Sequence, residues 1–365
     1  MIPYGRQSIS EDDIQAVVDV LKSDWLTQGP KIAEFEEALC KATNAQFAVA
    51  CSNGTTALHL AFMAAGLKEG DEVITTPNTF VATSNMLLAC GVKPVFCEIR
   101  LDTYNLDESK VEALITSKTK AIVTVDFAGQ SCDYNVLSAI AKKHGLLLIA
   151  DAAHALGGEF EGKKIGELAD MTLLSFHPVK SITTGEGGAI VTNNKDWADA
   201  MKRMRSHGVH KNEHGMNVMT VFGYNYRITD LQAALGTSQH KRLQRLNAHR
   251  REVVKWYAEE LGTLADIVLP VEKENVKSAW HLYVIRVKDA SKRQDLYEHF
   301  KKADIQANFH YPAVYNNPYY RELGFKDQLP NMDLYEETCL TLPCHQQLTH
   351  EEVKFISDSI KSFFQ

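Results

Sequence analysis

Short apolar runs alternate with longer segments in which apolar residues recur at helical spacing. Phe47 to Cys51, Glu72 to Thr76, Lys93 to Cys97, Ala121 to Val125 and Leu146 to Ala150 read as strands. Thr55 to Ala65, Phe80 to Cys90, Ser109 to Ile115 and Asp133 to His144 read as the helices between them. Strands and helices in strict alternation mean βαβ units and a mostly parallel sheet, hence an α/β fold. Met171 to Phe176 and Ala189 to Val191 add two buried strands. Upstream, Ser10 opens a helix with Glu11, Asp12 and Asp13 in its first turn, where the dipole favours acids. Ile14, Val17, Val18 and Leu21 give that helix an apolar stripe. Downstream, a helix over Asp196 to Ser206 is followed by a polar loop and a helical pattern from Thr229 to about Glu260. Leu264 to Asn275 reads as a hinge into a second domain with a strand, Trp280 to Val287, and helices over Arg293 to Ala303 and Glu351 to Phe364. The predicted domains are 1–260 and 261–365.

The chemistry gathers around one stretch, MTLLSFHPVKSITTGEGGAIVT, residues 171–192. Lys180 stands between two core strands, beside a glycine turn. Burial disfavours the charged amine and makes it a nucleophile, as a Schiff-base lysine requires. A second stretch, LLLIADAAHALGG, puts Asp151 at the carboxyl end of an apolar strand, the end that faces the ligand crevice in open α/β sheets. Lysine and aspartate on neighbouring strand ends point to pyridoxal phosphate: one holds the aldehyde and the other keeps the ring nitrogen protonated. Ser52-Asn53-Gly54-Thr55, at a strand-to-helix turn, offers backbone N–H groups to a phosphate.

Other features have bland readings. Phe80 reads as core packing or as a ring stacked on a planar ligand. His207, His210 and His214 cluster, but Gly208 and Gly215 and the absence of a thiol pattern favour a solvated, lid-like loop over a metal site. Lys241, Arg242, Arg245, Arg250 and Arg251 interleave with Leu243 and Leu246, as on a solvated helix face. The aromatic loop Phe309 to Tyr320 reads equally as a packed element or a ligand wall.

Composition narrows the class. With 365 residues, 45% hydrophobic and 23% charged, the chain can bury a large core. A net charge of −7 argues against a nucleic-acid partner. Seven scattered cysteines with no C-x-x-C favour reduced thiols and a cytoplasmic protein. Neither a secretory signal nor a membrane span is expected. No G-x-S-x-G elbow supports a hydrolase.

Taken in order, SNGTTALHL, ITTPNTFVATSNMLL, IADAAHALG, SFHPVKSITTGEGGAIVTN, RSHG, GYNYR and LPCH resemble the DegT/DnrJ/EryC1/StrS family of sugar aminotransferases over nearly the whole chain. The resemblance implies a type I aminotransferase fold: a large domain with a mostly parallel mixed sheet flanked by helices, and a smaller C-terminal α/β domain. It implies pyridoxal 5′-phosphate as cofactor, no metal, and a homodimer with shared sites. It makes Lys180 and Asp151 catalytic. Gly54, Thr55 and Ser175 become phosphate contacts, Phe80 the ring-stacking aromatic, and His154 the neighbour of the ring hydroxyl. Asn225 is implied to cross into the neighbouring site. Tyr4, the loop Asp24, Trp25, Leu26 and Thr27, and the loop His310, Tyr311, Pro312 and Ala313 are implied to reach the substrate, as are Gly54, Ser175 and Asn225. Within the family, LTQG, NMLLACGVKPVF, TKAIVTVDFAG and LPCH look most like the branch that transfers nitrogen from L-glutamate to C4 of a UDP-linked 4-keto-6-deoxy-N-acetylhexose in pseudaminic acid biosynthesis. The alternatives are other nucleotide keto sugars (the UDP-N-acetylbacillosamine precursor, the 4-amino-arabinose precursor, a dTDP sugar) or a non-catalytic cofactor-binding sensor. Lys180 argues against the dehydrase branch, which carries histidine there.

Overall fold

The computed structural model describes residues 1–365. Its centre is a seven-stranded sheet. The strands are β1 (Phe47–Cys51), β2 (Glu72–Thr75), β3 (Lys93–Phe96), β4 (Thr119–Val125), β5 (Leu147–Asp151), β6 (Met171–Ser175) and β7 (Gly188–Thr192). They lie in the order β1-β7-β6-β5-β4-β2-β3. β7 runs antiparallel to both its neighbours, and the other pairs are parallel. Registers bring Asp151 opposite Leu173, and Ser175 and Cys51 opposite Gly188, so the carboxyl ends of β1, β5 and β6 form one edge.

Alternation along the strands loads both faces. In β1, Ala48 and Ala50 join one core, and Val49 and Cys51 join the other. A sheet buried on both sides needs nearly continuous apolar runs, which is why the strands were so readable. Helices α1 (Glu11–Leu21), α2 (Pro30–Thr43), α3 (Gly54–Ala64), α4 (Ala82–Ala89), α5 (Tyr134–His144), α6 (Lys195–Arg205), α7 (Asp230–His240) and α8 (Leu243–Leu261) surround it.

The C-terminal part builds a smaller antiparallel sheet from β8 (Ile267–Val268), β9 (Tyr283–Val287) and β10 (Cys339–Leu342). Helices α9 (Ser291–Lys302), α10 (Pro330–Thr338) and α11 (His350–Phe364) accompany it. Its core draws in Val253, Tyr257 and Leu261 from the end of α8. The N-terminus also returns here, where the Ile2 N–H donates to the Asp304 carbonyl at 2.8 Å.

Several expectations need correction. The ends of the stripe on α1 face outward, Ile14 at 48% and Leu21 at 58% exposed, with Val17 and Val18 only half-buried, whereas Asp13 is fully buried. The capping carboxylate turns inward because it meets Ser238, Gln239 and Arg242, partners far along the chain that no helical period reveals. The pattern from Thr229 to Glu260 is two helices, broken at Lys241-Arg242, where Arg242 turns to bind Asp13. Arg250 is not solvated. It is fully buried and spends its donors on carbonyl oxygens. The strand expected from Trp280 starts at Tyr283, because Trp280 adopts a left-handed φ of 49°. The proposed hinge is partly stitched down: Ile267 and Val268 pair with Val287 and Arg286, and the Asn275 carbonyl accepts from the Glu161 N–H at 2.7 Å. α2, α10 and β10 were not foreseen.

Candidate active site

A cavity of about 600 Å³ opens at the carboxyl edge of the large sheet, where the C-terminal part leans over it. Asp151 ends β5 at its floor and is 8% exposed. The Thr83 hydroxyl donates to one carboxylate oxygen at 2.7 Å, and the Ala153 N–H donates to the other at 3.2 Å. Burial pushes this carboxyl up, against the pull of those two hydrogen bonds and of nearby Lys180.

Lys180 lies on the loop between β6 and β7. Its N–H donates to the His177 carbonyl at 2.9 Å. Part of the side chain faces the cavity, and protein encloses the rest. That enclosure lowers the amine to about 8 despite the attraction of Asp151. Its Nζ lies 3.4 Å from Nε2 of His281. At about pH 8 the amine is half neutral, so it is a usable nucleophile and base near neutrality.

Across the cavity floor, α3 begins at Gly54. Asn53 caps it, accepting from the Thr56 N–H at 2.9 Å. The first-turn N–H groups lack intrahelical partners, and the helix dipole favours an anion there. Ser175 faces this turn. A Cβ on Gly54 would come within 3.2 Å of the Ser175 Cβ, so a side chain there would fill the space between helix end and strand end. Gly188 is tighter still: a Cβ would sit 2.3 Å from the Asn53 carbonyl oxygen.

The walls are aromatic. Phe80 lines the cavity and is 60% exposed, a large ring with little of its own chain stacked on it. Tyr311 lies 6.2 Å away, centroid to centroid. His154 Nδ1 accepts from the Ala128 N–H at 3.2 Å, which leaves the proton on Nε2, 3.3 Å from the Tyr311 hydroxyl. Burial holds His154 well below the usual histidine range, so it is neutral. His310 is likewise pushed down by burial, to about 4, and its Nδ1 lies 2.9 Å from the Thr341 hydroxyl. Tyr4 stands 5.5 Å from the His310 ring.

The single chain therefore brings together Tyr4, Gly54, Thr55, Phe80, Asp151, His154, Ser175, Lys180, His310 and Tyr311. It does not bring in the rest. Asp24, Trp25, Leu26 and Thr27 are exposed beside the start of α7, where Leu26 accepts from the Asp230 N–H at 3.0 Å. Asn225 is exposed and bridges to Ser206. Pro312 points to solvent, and Ala313 is sealed in a core with Val314 and Tyr315. The aromatic loop thus does both jobs: its first residues line the cavity and its later ones pack. Sequence reasoning gave no role to Thr83, which sits inside an already conspicuous stretch. It also missed His281, which lies 101 residues from Lys180 and has no local signal at all.

Comparison with known proteins sets this geometry in context. The DegT/DnrJ/EryC1/StrS aminotransferase family model matches residues 7–361. The chain belongs to that family. It is an aminotransferase, and it uses pyridoxal phosphate. It is 40% identical over 370 residues to a Campylobacter jejuni protein named UDP-4-amino-4,6-dideoxy-N-acetyl-beta-L-altrosamine transaminase, covering 100% of this chain and 98% of that one. It is similar to the structure of Helicobacter pylori PseC, an aminotransferase involved in the biosynthesis of pseudoaminic acid. That match has a TM-score of 0.96 at 36% identity, over 100% of this chain and 99% of that one. The PLP-form of the sugar aminotransferase Spr1654 from Streptococcus pneumoniae matches with a TM-score of 0.95 at 32% identity, over 99% and 98% of the two chains. No helix of this chain is long and apolar enough to cross a membrane.

Proposed function

We propose that this aminotransferase moves the amino group of L-glutamate to C4 of UDP-2-acetamido-2,6-dideoxy-β-L-arabino-hex-4-ulose, on the route to pseudaminic acid. The supporting observation is 40% identity along the whole chain to a transaminase named for the aminated sugar.

The cavity fits pyridoxal phosphate. The Gly54–Ser175 cradle, which a Cβ would fill, takes the phosphate with Thr55 and the start of α3. Asp151 would hydrogen-bond the ring nitrogen and keep its proton. Lys180 Nζ would hold the aldehyde carbon, Phe80 would cover a ring face, and His154 would lie by the ring hydroxyl. When bound, the cofactor supplies an electron sink and stores nitrogen between two half-reactions. Lys180, once free, takes the proton from Cα of glutamate and later delivers one to C4 of the sugar, base and then acid. Thr83 keeps the Asp151 carboxylate aimed by donating to it. Tyr4, His310 and Tyr311 form the sugar side. The kinetics are then ping-pong.

The chain divides at residue 260 into a large cofactor domain and a small one. It works as a homodimer in which Asn225 of each subunit, with the Asp24 to Thr27 loop, completes the neighbouring site. Trp25, Leu26, Met219 and Phe222, all exposed in one chain, support this. Borohydride reduction of the holoenzyme and peptide mapping test the lysine, with the label expected on Lys180 and nowhere else. A panel of UDP- and dTDP-linked keto sugars, scored for glutamate-dependent amination, tests the substrate. Preference for a dTDP sugar, for the bacillosamine precursor or for the 4-amino-arabinose precursor would move the enzyme to another branch of the family.

A further inference from the structure

His281 lies against Lys180 and is itself only 4% exposed. Its backbone is pinned on both sides: its N–H donates to the Ala128 carbonyl at 2.8 Å, and its carbonyl accepts from Arg250 Nη1 at 2.9 Å. The same guanidinium donates through Nη2 to the Val179 carbonyl at 3.0 Å, one residue before the lysine. Gln346 closes the ring, accepting from Arg250 and donating to the Lys180 carbonyl at 3.0 Å. Arg250 and Gln346 therefore tie the main chains that carry the lysine and the imidazole to one another.

The imidazole has one partner for two nitrogens. Nε2 faces Lys180 Nζ at 3.4 Å, and Nδ1 is buried with no hydrogen-bond partner. A buried N–H without an acceptor is rarer and costlier than a bare lone pair. The proton of neutral His281 therefore belongs on Nε2, where it can be donated to nitrogen only if the lysine has a free lone pair. A protonated Lys180 would force His281 into the other tautomer and strand an N–H in the interior.

We propose that His281 is a positioning residue whose tautomer keeps Lys180 in the free-amine form and fixes where that amine sits. This rests on the reading of Lys180 as the residue that holds the cofactor. Other ionisable groups around the lysine act in both directions. Asp151 favours its charge and Arg250 opposes it. His154, whose ring lies tilted 4.4 Å from that of His281, and His310 stay neutral, because burial depresses both. None of these neighbours stands within hydrogen-bond reach of Nζ, as His281 does.

The test reads the lysine directly. In full-chain protein stripped of cofactor, the rate of Lys180 acetylation by acetic anhydride, mapped by mass spectrometry, is followed against pH. The wild-type midpoint is expected near the value of about 8 that enclosure imposes. His281→Phe keeps a ring in place but removes the donor, and its midpoint is expected to rise by roughly 1 unit, the stranded N–H having cost that much. An unchanged or lower midpoint overturns the proposal, since packing alone would then account for the amine. Nitrogen-15 spectra of histidine-labelled wild-type protein, assigned with Lys180→Ala, give a second reading that needs no folded His281 variant. The Nε2–H tautomer is expected above pH 8, and the Nδ1–H tautomer there overturns the inference. Borohydride mapping on the holoenzyme separates the two failures. A label on Lys180 with an unmoved midpoint sinks only the role of His281, and a label elsewhere sinks the reading beneath it.

Discussion

The inner wall of the cavity and an apolar surface outside it are made of different material. Asp151, Ser175 and Gly188 stand on strands whose registers are locked by the large sheet, and both Asp151 and Lys180 sit among buried groups. The outer surface is another matter. Trp25, Leu26, Met219 and Phe222 are apolar yet exposed, and they sit on a loop or in and beside a short two-stranded hairpin, residues 209–211 with 217–219. None of them lines the cavity. Apolar surface of this kind suits a partner better than water, in keeping with the proposed homodimer. Catalytic groups need fixed geometry, so they grow from the sheet.

That contrast can be broken at graded cost. The largest effect belongs to Lys180→Ala: turnover is expected to fall by at least ~10³-fold. Thermal melting should stay near wild type, because removing a desolvated amine leaves the sheet intact. Amination rates and a calorimetric scan check both halves. Asp151→Asn should cost about 10²-fold in turnover and release cofactor on dilution, read from the absorbance that remains after gel filtration. A variant that keeps its cofactor and its rate would show that the inner wall tolerates what it is expected to forbid.

Arg250→Met attacks the seam. It leaves the carbonyls of His281, Val179 and Cys344 without their donor, and about 3 kcal/mol of stability is expected to go, measured by denaturant titration. On the outer surface, Phe222→Asp should leave the fold untouched and move the sedimentation profile toward monomer, with activity falling roughly tenfold or more at low protein concentration. The mildest test is pH. Lys180 enclosed at about 8 is charged below that value and neutral above it. Capture of added pyridoxal phosphate by stripped protein should slow about tenfold per unit below pH 8 and level off above it. A flat profile would mean that the amine is not desolvated as the geometry requires.

The same contrast decides what could be read from the sequence. Strands buried on two faces announce themselves, so all seven central strands are visible within a residue or two at either end; β7, expected as Ala189 to Val191, is one residue longer at each end, and β4 begins two residues early. Lys180 and Asp151 were legible because each stands where an apolar run stops. The stripe on α1 is read too broadly, its ends being exposed, because helical periodicity cannot tell a face turned to the protein's own core from one turned outward. Arg250 is misread as solvated, and the burial of the first-turn acid Asp13 stays hidden, because a buried charge is visible only through its partners, and those come from remote segments. His281 was missed for the same reason, since its partner arrives from another sheet.

The antiparallel β7 ties the lysine loop down at both ends. The lysine loop departs from Ser175 and ends at Gly188, and those two residues are paired neighbours. Its anchors are side by side, like the ends of a short leash tied to one post. A lysine on such a leash stays within reach of the same small volume whether or not anything is attached to it. It can release the cofactor, work as an acid or base, and find the aldehyde again with little to search. The chain could even be cut within that loop and its two ends would still be stitched into the same sheet.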